Sequence, residues 1–305
     1  MKKLLAVSLM ALLSFSAAQA QNDDKMLFNH LSVGVTTGTP GLIGFDLATT
    51  CTPYLQIRAG LSIMPRFKYS TDISMGKSDV DKFNGYITQI NNAADDPVNA
   101  SLGIPHIYGT VQEKYDIEGK FGFTNGKILF DFFPFTSKGF PFFITVGAYF
   151  GGSEIISVYN KDDRALNIVN EANEAIEKTK SIAAKYGIPS DLNKIYGEVG
   201  EYKLGPDADG NAKFNIKVNG FKPYLGIGFG RPVPKGRIGF QFELGCMFWS
   251  TPKVTYSGYD GVTGERNFEI DNDKVGDKDV GKAIDVVKKI SVWPCLSFRL
   301  CGRIF

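Results

Sequence analysis

The chain is poor in the residues that most chemistry needs. Of its 305 residues two are histidine and four are cysteine. His30 and His106 stand apart in the sequence, and no Cys/His cluster has zinc-ligand spacing. No Ser-His-Asp or Cys-His set converges on one surface under the topology read below. No metal, cofactor or catalytic residue is therefore expected, nor is an enzyme. Net charge is also missing. Without Lys2 and Lys3 the basic and acidic residues both number 32, which speaks against a broad attraction to nucleic acid or to an anionic surface. After residue 20 no apolar run approaches the ~20 residues of a spanning helix.

The first twenty residues read as a leader. Lys2 and Lys3 form a basic start, residues 4–15 a short apolar run, and Ala18-Gln19-Ala20 a small-x-small cleavage site. The mature chain would begin at Gln21 and form one domain, 21–305. No cysteine follows the cleavage site, so a lipid anchor is not expected.

What is abundant is alternation of period two, in segments of about ten residues. Leu31, Val33 and Val35 open it, and Ile43, Phe45 and Leu47 follow a Gly38-Thr39-Pro40-Gly41 turn. Then come Leu55 to Ile63, Ile128 to Phe132, Phe142 to Phe150, Phe221 to Phe229, Ile238 to Phe248 and Leu296 to Ile304. That makes about eight strands, possibly ten. The segments 50–54, 134–141 and 231–235 are short connections, whereas 69–110, 152–218 and 250–290 are long. If both termini lie on one side, these three short connections fall on that side and the three long ones on the other. Membrane barrels have this asymmetry.

Asn125-Gly126 is a hairpin signal, and the apolar parity switches near it. A hairpin there would break the pattern of short and long connections, so one long strand carrying a bulge is preferred. Helical spacing recurs in each long loop: Val80, Phe83, Ile87 and Ile90 after Ser78 as N-cap; Leu166, Val169, Ala172, Ile176 and Ala183 before Gly187; and Val280, Ala283, Ile284 and Val287. Segments 201–204 and 212–218 read as a hairpin through Asp207-Ala208-Asp209-Gly210-Asn211, a plain turn rather than a calcium loop, since the terminal Glu is missing.

The leader, the alternating strands with short turns on one side, and the final segment Leu300-Cys301-Gly302-Arg303-Ile304-Phe305 together resemble small outer-membrane barrels of the OmpA transmembrane-domain and OmpX type, within the porin-like outer-membrane β-barrel superfamily. Phe305 departs from the parity of Leu296, Phe298 and Leu300. The resemblance implies an all-β, antiparallel up-and-down transmembrane barrel in the outer membrane of a Gram-negative cell. It also implies recognition of Phe305 by the barrel-assembly machinery, contact with outer-membrane lipid, and a non-catalytic anchoring or adhesive role.

If apolar faces meet lipid, the opposite faces collect Asp46, Arg58, Arg66, Asp131, Lys222, Tyr224, Glu243, Arg299 and Arg303 in the lumen. Counting from the turns sets Asp46 opposite Arg58, and Glu243 between Tyr224 and Arg299. A self-satisfied polar filling is preferred to a gated ion path, because small barrels are filled by side chains. The cysteines are expected free. Cys246 and Cys295 lie at one height on opposite faces, and Cys295 and Cys301 lie roughly 20 Å apart along a strand. Tyr69, Tyr149, Phe150, Phe248, Trp249 and Trp293 read as an outer aromatic belt. The expected role is a barrel that anchors a surface cap and meets an extracellular partner through the loop helices; the alternative is a narrow porin or small-solute channel. A soluble exported ligand-binding barrel would reverse the side chains, with apolar groups inward.

Overall fold

The computed structural model describes Phe28, residues 30–275 and residues 279–305; the leader and its cleavage site lie outside the described residues. In chain order the elements are β1 (Leu31–Gly38), β2 (Ile43–Thr52), β3 (Leu55–Ser74), α1 (Lys77–Asp95), β4 (Lys114–Phe132), β5 (Phe142–Gly151) and β6 (Glu154–Asn160). Then follow α2 (Asn167–Lys185), β7 (Gly197–Val199), β8 (Tyr202–Gly205), β9 (Lys213–Lys217), β10 (Phe221–Gly230) and β11 (Ile238–Phe248). The chain closes with β12 (Lys253–Asp260), β13 (Arg266–Glu269), α3 (Asn272–Val275), α4 (Asp279–Lys289) and β14 (Val292–Arg303).

Eight of these strands form a closed antiparallel barrel in the order β1-β2-β3-β4-β5-β10-β11-β14, which returns to β1. Each neighbour in the ring is the next barrel strand along the chain, so every pairing is a simple up-and-down step. Closure satisfies the backbone groups that a sheet edge would leave bare in lipid. Period-two alternation fixes which way each side chain points. On β11, Phe240 is 76% exposed, while Glu243 on the other face is 2% exposed. Val33, Val35, Phe45, Leu61, Phe130, Val146, Leu225, Ile227, Leu244, Phe298 and Leu300 likewise face outward. The barrel is apolar outside and polar inside. That rules out the inward-apolar arrangement of a soluble ligand-binding barrel.

β4 runs unbroken through Asn125 and Gly126, which pair with Ser62 and Leu61. No parity inversion occurs there: Phe123, Asn125, Lys127, Leu129 and Asp131 are all buried on one face. What changes is the chemistry of the lumen, polar below and aromatic above. The register shift sits higher, where Pro65 and Arg66 of β3 stand opposite Gly122, at φ +157°. Arg66 is consequently exposed at the bulge rather than in the lumen.

β3 and β4 have 20 and 19 residues, where a tilted span needs about 9–11. They continue beyond the barrel, so the first long loop is 75–113 and not 69–110. The upper part of β4 pairs with β6, which extends the same sheet out of the ring through β9, β12, β8 and β7, with β13 on β12. The expected hairpin between 201–204 and 212–218 does not form. β9 pairs with β6 and β12, whereas β8 pairs with β7 and β12. The linking turn itself is tight, with Gly210 N bonded to the Asp207 carbonyl and Asp207 N to the Asn211 carbonyl; the two strands instead pair with successive parts of β12. Asp207 Oδ1 accepts from the N–H groups of Asp209 and Asn211, and the Gly210 carbonyl accepts from Leu166 N at the start of α2.

The three loops fold together into one cap. Ile87 and Ile90 of α1 pack with Val169, Ala172 and Ile176 of α2 and with Ile107, Val111, Leu192 and Ile195 between them. A second small core joins Tyr202, Leu204, Val254, Tyr256, Phe268 and Ile270 to Val275 and Ile284. α1 starts after Gly76 without a side-chain cap, so Ser78 does not serve as its N-cap; Gly187, at φ +69°, follows the end of α2.

One device is repeated in the cap. Asn84, Asn91 and Asn173 each use Oδ1 and Nδ2 to bond both backbone groups of one non-helical residue, respectively Val111, Ile107 and Ile195. Asp260 does similar work at the end of β12, accepting from the N–H groups of Lys203, Val262 and Thr263. Burial raises its pKa, but these donors and the Thr263 hydroxyl outweigh it, so the carboxyl titrates below its ordinary range.

All four cysteines are free. Cys246 pairs with Pro294, and Cys295 with Gly245, so the two thiols leave adjacent strands on opposite faces.

Two substitutions separate barrel from cap. Leu244→Arg puts a charge on the lipid face and should destabilise the barrel by about 2–4 kcal/mol, read as a lower denaturant midpoint in lipid vesicles. Asn173→Leu strands the backbone groups of Ile195, a loss of about 1–3 kcal/mol. It should expose 186–196 to protease while the heat-modifiable gel shift of the barrel stays unchanged.

Candidate functional site in the barrel lumen

The inward faces carry two linked groups of charges. Arg58 of β3 is central to the first. Its Nε and Nη2 donate to the two carboxylate oxygens of Asp131 on β4, both at 2.7 Å, and Nη2 also reaches Glu243 Oε2 on β11 at 2.7 Å. Since β3 and β11 lie on different sides of the ring, this contact spans the lumen. Thr145 Oγ1 on β5 donates to Asp131 Oδ1 at 2.6 Å. The second group centres on Asp46 of β2. Arg299 Nε of β14 donates to its Oδ1 at 2.8 Å, and Lys127 Nζ of β4 lies 2.8 Å from Oδ2. Thr36 of β1 adds a hydroxyl at 3.3 Å. Asp46, Arg58, Asp131, Lys127, Glu243 and Arg299 are all buried. A charge in such a place is tolerable only with partners, and here each has at least one opposite charge within 2.8 Å.

The pairing differs from the count made from the turns. Asp46 stands opposite Gly60, and Arg58 opposite Ala48. The chain turns at Pro53-Tyr54, which shifts the register by two residues from the expected one. Arg58 therefore goes to Asp131 and Glu243, and Asp46 to Arg299. Gln241, not Glu243, is the register partner of Arg299. Tyr224 is buried and packs edge-on against Tyr149 at 5.3 Å. Lys222 is buried near the upper end, where Nζ donates to Asn125 Oδ1 and the Gly152 carbonyl, each at 2.9 Å. Arg303 lies at the inner rim and donates to the Lys235 carbonyl. Lys127 was missed by the sequence reading, although it shares the parity of Asp131 four residues on.

Glycine makes room for this filling. A Cβ on Gly34 would fall 2.2 Å from Arg299 Nε, and one on Gly245 would fall 2.4 Å from the Tyr224 hydroxyl. The large side chains lie across bare backbone on the neighbouring strand.

Both mouths are closed. At the inner end the β10–β11 turn enters the barrel, and Pro232, Val233 and Pro234 are buried. The Pro232 carbonyl accepts from Ser32 Oγ at 2.6 Å and Arg299 Nη1 at 2.8 Å, and Gln56 Oε1 accepts from Val233 N. At the outer end Phe123, Leu129, Tyr149, Tyr224, Met247, Trp249 and Cys295 form an apolar core. Trp249 stacks near Trp293 at 5.0 Å and donates its indole N–H to the Ile290 carbonyl. Tyr149 and Trp249 therefore belong to this plug rather than to an interfacial belt. Of the expected belt, Phe150 and Phe248 face outward, and Tyr69 stands on the part of β3 above the barrel.

His30 is half-buried near the inner edge. His106 is far from it in the cap, 3.7 Å from Asp95 and against Tyr108. Among the described residues no three His, Cys, Asp or Glu side chains are placed to hold a metal ion.

A closed antiparallel ring, apolar outside and charge-packed inside, defines the transmembrane β-barrel class. No family model and no curated protein matches the chain. Among solved structures the chain is similar to Acinetobacter baumannii CarO2, with 15% identity over 92% of this chain and 100% of that one, at a TM-score of 0.40. It is similar to Acinetobacter baumannii CarO, with 16% identity over 92% and 99%, at 0.38. It is also similar to a major outer membrane protein from Thermus thermophilus, with 13% identity over 90% and 98%, at 0.29. The fold assignment rests on the strand pairing above.

Arg58→Met leaves Asp131 and Glu243 without their cation. It should lower stability by about 3–5 kcal/mol, seen as a lower temperature for the gel-mobility shift. Adding Asp131→Asn and Glu243→Gln should recover most of the loss; a triple variant no better than the single one would show that the ion pairs are not the cause.

Proposed function

We propose that the protein is a non-catalytic outer-membrane barrel, exported by its leader, that holds a folded cap at the cell surface for contact with an extracellular partner. The observation that carries this reading is the lumen. Arg58 ties β3 and β4 to β11 across the interior, and both mouths are filled from within the chain. Such an interior leaves structural work, not passage, as the role of the barrel. The cap adds support. The three long loops share two cores and a sheet continuous with β4, so they present a fixed surface instead of separate strings. The polar cluster of Asp46, Arg58, Asp131, Lys222, Tyr224, Glu243 and Arg299 acts as the filling of the barrel. The final residue joins the ring, with the Phe305 carbonyl accepting from Leu31 N, which suits recognition of the last strand by the assembly machinery.

Two measurements test the reading. In planar bilayers the purified protein should show no stepwise conductance; ion-selective steps would favour the narrow-channel alternative. Protease added to intact cells should cut within 75–113, 152–220 or 249–291. Cuts confined to the short turns near residues 53, 137 and 234 would invert the topology.

A further inference from the structure

The upper part of β3 has an edge that the folding of the cap leaves unused. β2 pairs with β3 only as far as Ile63. Residues 66–74 pair with β4 along one edge, and among the described residues no strand pairs with the other. Every residue of this run is exposed. A strand edge of that length presents a row of unpaired N–H and C=O groups, and natural proteins shorten, cover or break such edges.

The bulge at Pro65 and Arg66 inverts the faces of β3 above it. Phe67, Tyr69 and Ile73 stand opposite Phe121, Gly119 and Tyr115, on the face that continues the lumen, yet all three are exposed. The other face continues the lipid-facing wall, and there Leu61 gives way to Lys68, Ser70 and Asp72. The run therefore stands clear of hydrocarbon, with one apolar face, one polar face and an open edge. Its residues are also arranged symmetrically about Ser70. Laid antiparallel on itself with Ser70 against Ser70, the run sets Lys68 against Asp72, Phe67 against Ile73 and Tyr69 against Thr71. Opposite charges and apolar pairs at directly facing positions favour pairing. Self-complementarity about a two-fold axis is what an isologous contact requires.

We infer that this edge docks a second copy of the same chain standing in a facing membrane, the two β3 strands adding to each other antiparallel. The inference rests on the proposed role of the cap at the cell surface and names its partner. Geometry decides the arrangement. The two-fold axis of such a strand pair is perpendicular to the sheet. The sheet continues the upright wall of the barrel, so the axis lies along the membrane plane and turns the second barrel over. Two upright copies in one membrane are related by an axis along the membrane normal. That axis points both strands the same way and cannot pair them antiparallel. A strand from an unrelated partner would use the backbone groups, but nothing would require its charges to mirror Lys68 and Asp72.

Lipid vesicles carrying the full-length protein, labelled in two colours and followed by fluorescence cross-correlation, test it. Vesicles of the unaltered chain should cluster with one another and not with protein-free vesicles. Lys68→Asp and Asp72→Lys each set like charges face to face, and each should reduce clustering by about ten-fold or more. Vesicles of the one variant mixed with vesicles of the other should cluster again, because every like-charge contact then becomes an opposite one. Ser70→Cys should give a dimer under a copper–phenanthroline oxidant, since directly opposed residues have Cα atoms about 4.5–5.5 Å apart, within disulfide reach. Ser74→Cys, whose two copies would lie roughly 27 Å apart along the strands, should not. No clustering of the unaltered chain, no recovery in the mixed vesicles, or equal cross-linking at 70 and 74 would overturn the docking site. Dimers of Ser70→Cys in vesicles too dilute to touch would overturn the facing-membrane arrangement. If a charge variant loses its heat-modifiable gel shift, the unaltered chain and the two cysteine variants still decide. Protease that fails to reach the cap on intact cells would overturn the cell-surface reading instead, which keeps the two failures distinct.

Discussion

The guanidinium of Arg58 is the point on which the interior of this protein depends. It is buried, it holds Asp131 in a two-pronged contact on the adjacent strand, and it reaches Glu243 on the far side of the ring. A barrel wall is otherwise joined only to its neighbours. A cation that bridges non-adjacent strands turns the ring into a braced tube. Arg299 repeats the device on the other side, linking Asp46 on β2 to the Pro232 carbonyl of the inner turn. Arginine suits both positions because its fork satisfies several acceptors at once, which a lysine ammonium cannot do with the same fixed geometry.

Everything else in the lumen accommodates these charges. Low dielectric surroundings make an unpaired charge costly and a paired one strongly oriented. The aromatic and aliphatic plug above, and the Pro232-Val233-Pro234 turn below, shut out the water that would otherwise compete for the ion pairs. Gly34, Gly226 and Gly245 supply the space in which Arg299 and Tyr224 lie flat against the wall. The cap is then carried on β3 and β4, whose length exceeds what the membrane requires.

The barrel was legible because strand alternation is a local property. A residue's face depends only on its position within its own strand, so lumen and lipid sides could be assigned residue by residue, and the free, opposite-facing Cys246 and Cys295 followed from the same parity. Partners across the lumen were not legible. They depend on register, and because the chain turns at Pro53-Tyr54, Asp46 stands opposite Gly60 and not Arg58. Arg66 and Arg303 had the right residue type, but one sits in a bulge and the other on the rim. Trp249 and Tyr149 were read as a belt because aromatic composition alone does not distinguish an interfacial ring from a plug. The helices of the cap showed their periodicity plainly, but their mutual packing, and the failure of 201–204 to pair with 212–218, depend on contacts between loops far apart in sequence.

A braced, water-excluding lumen has a direct signature. In nanodiscs with the arginines labelled by ¹⁵N, the Nε–H groups of Arg58 and Arg299 should give sharp signals that persist for hours after transfer to D₂O, because each is locked onto a carboxylate and shielded at both mouths. Exchange of both signals within the dead time of the measurement would mean that water reaches the ion pairs freely, and the closed interior described here would be contradicted.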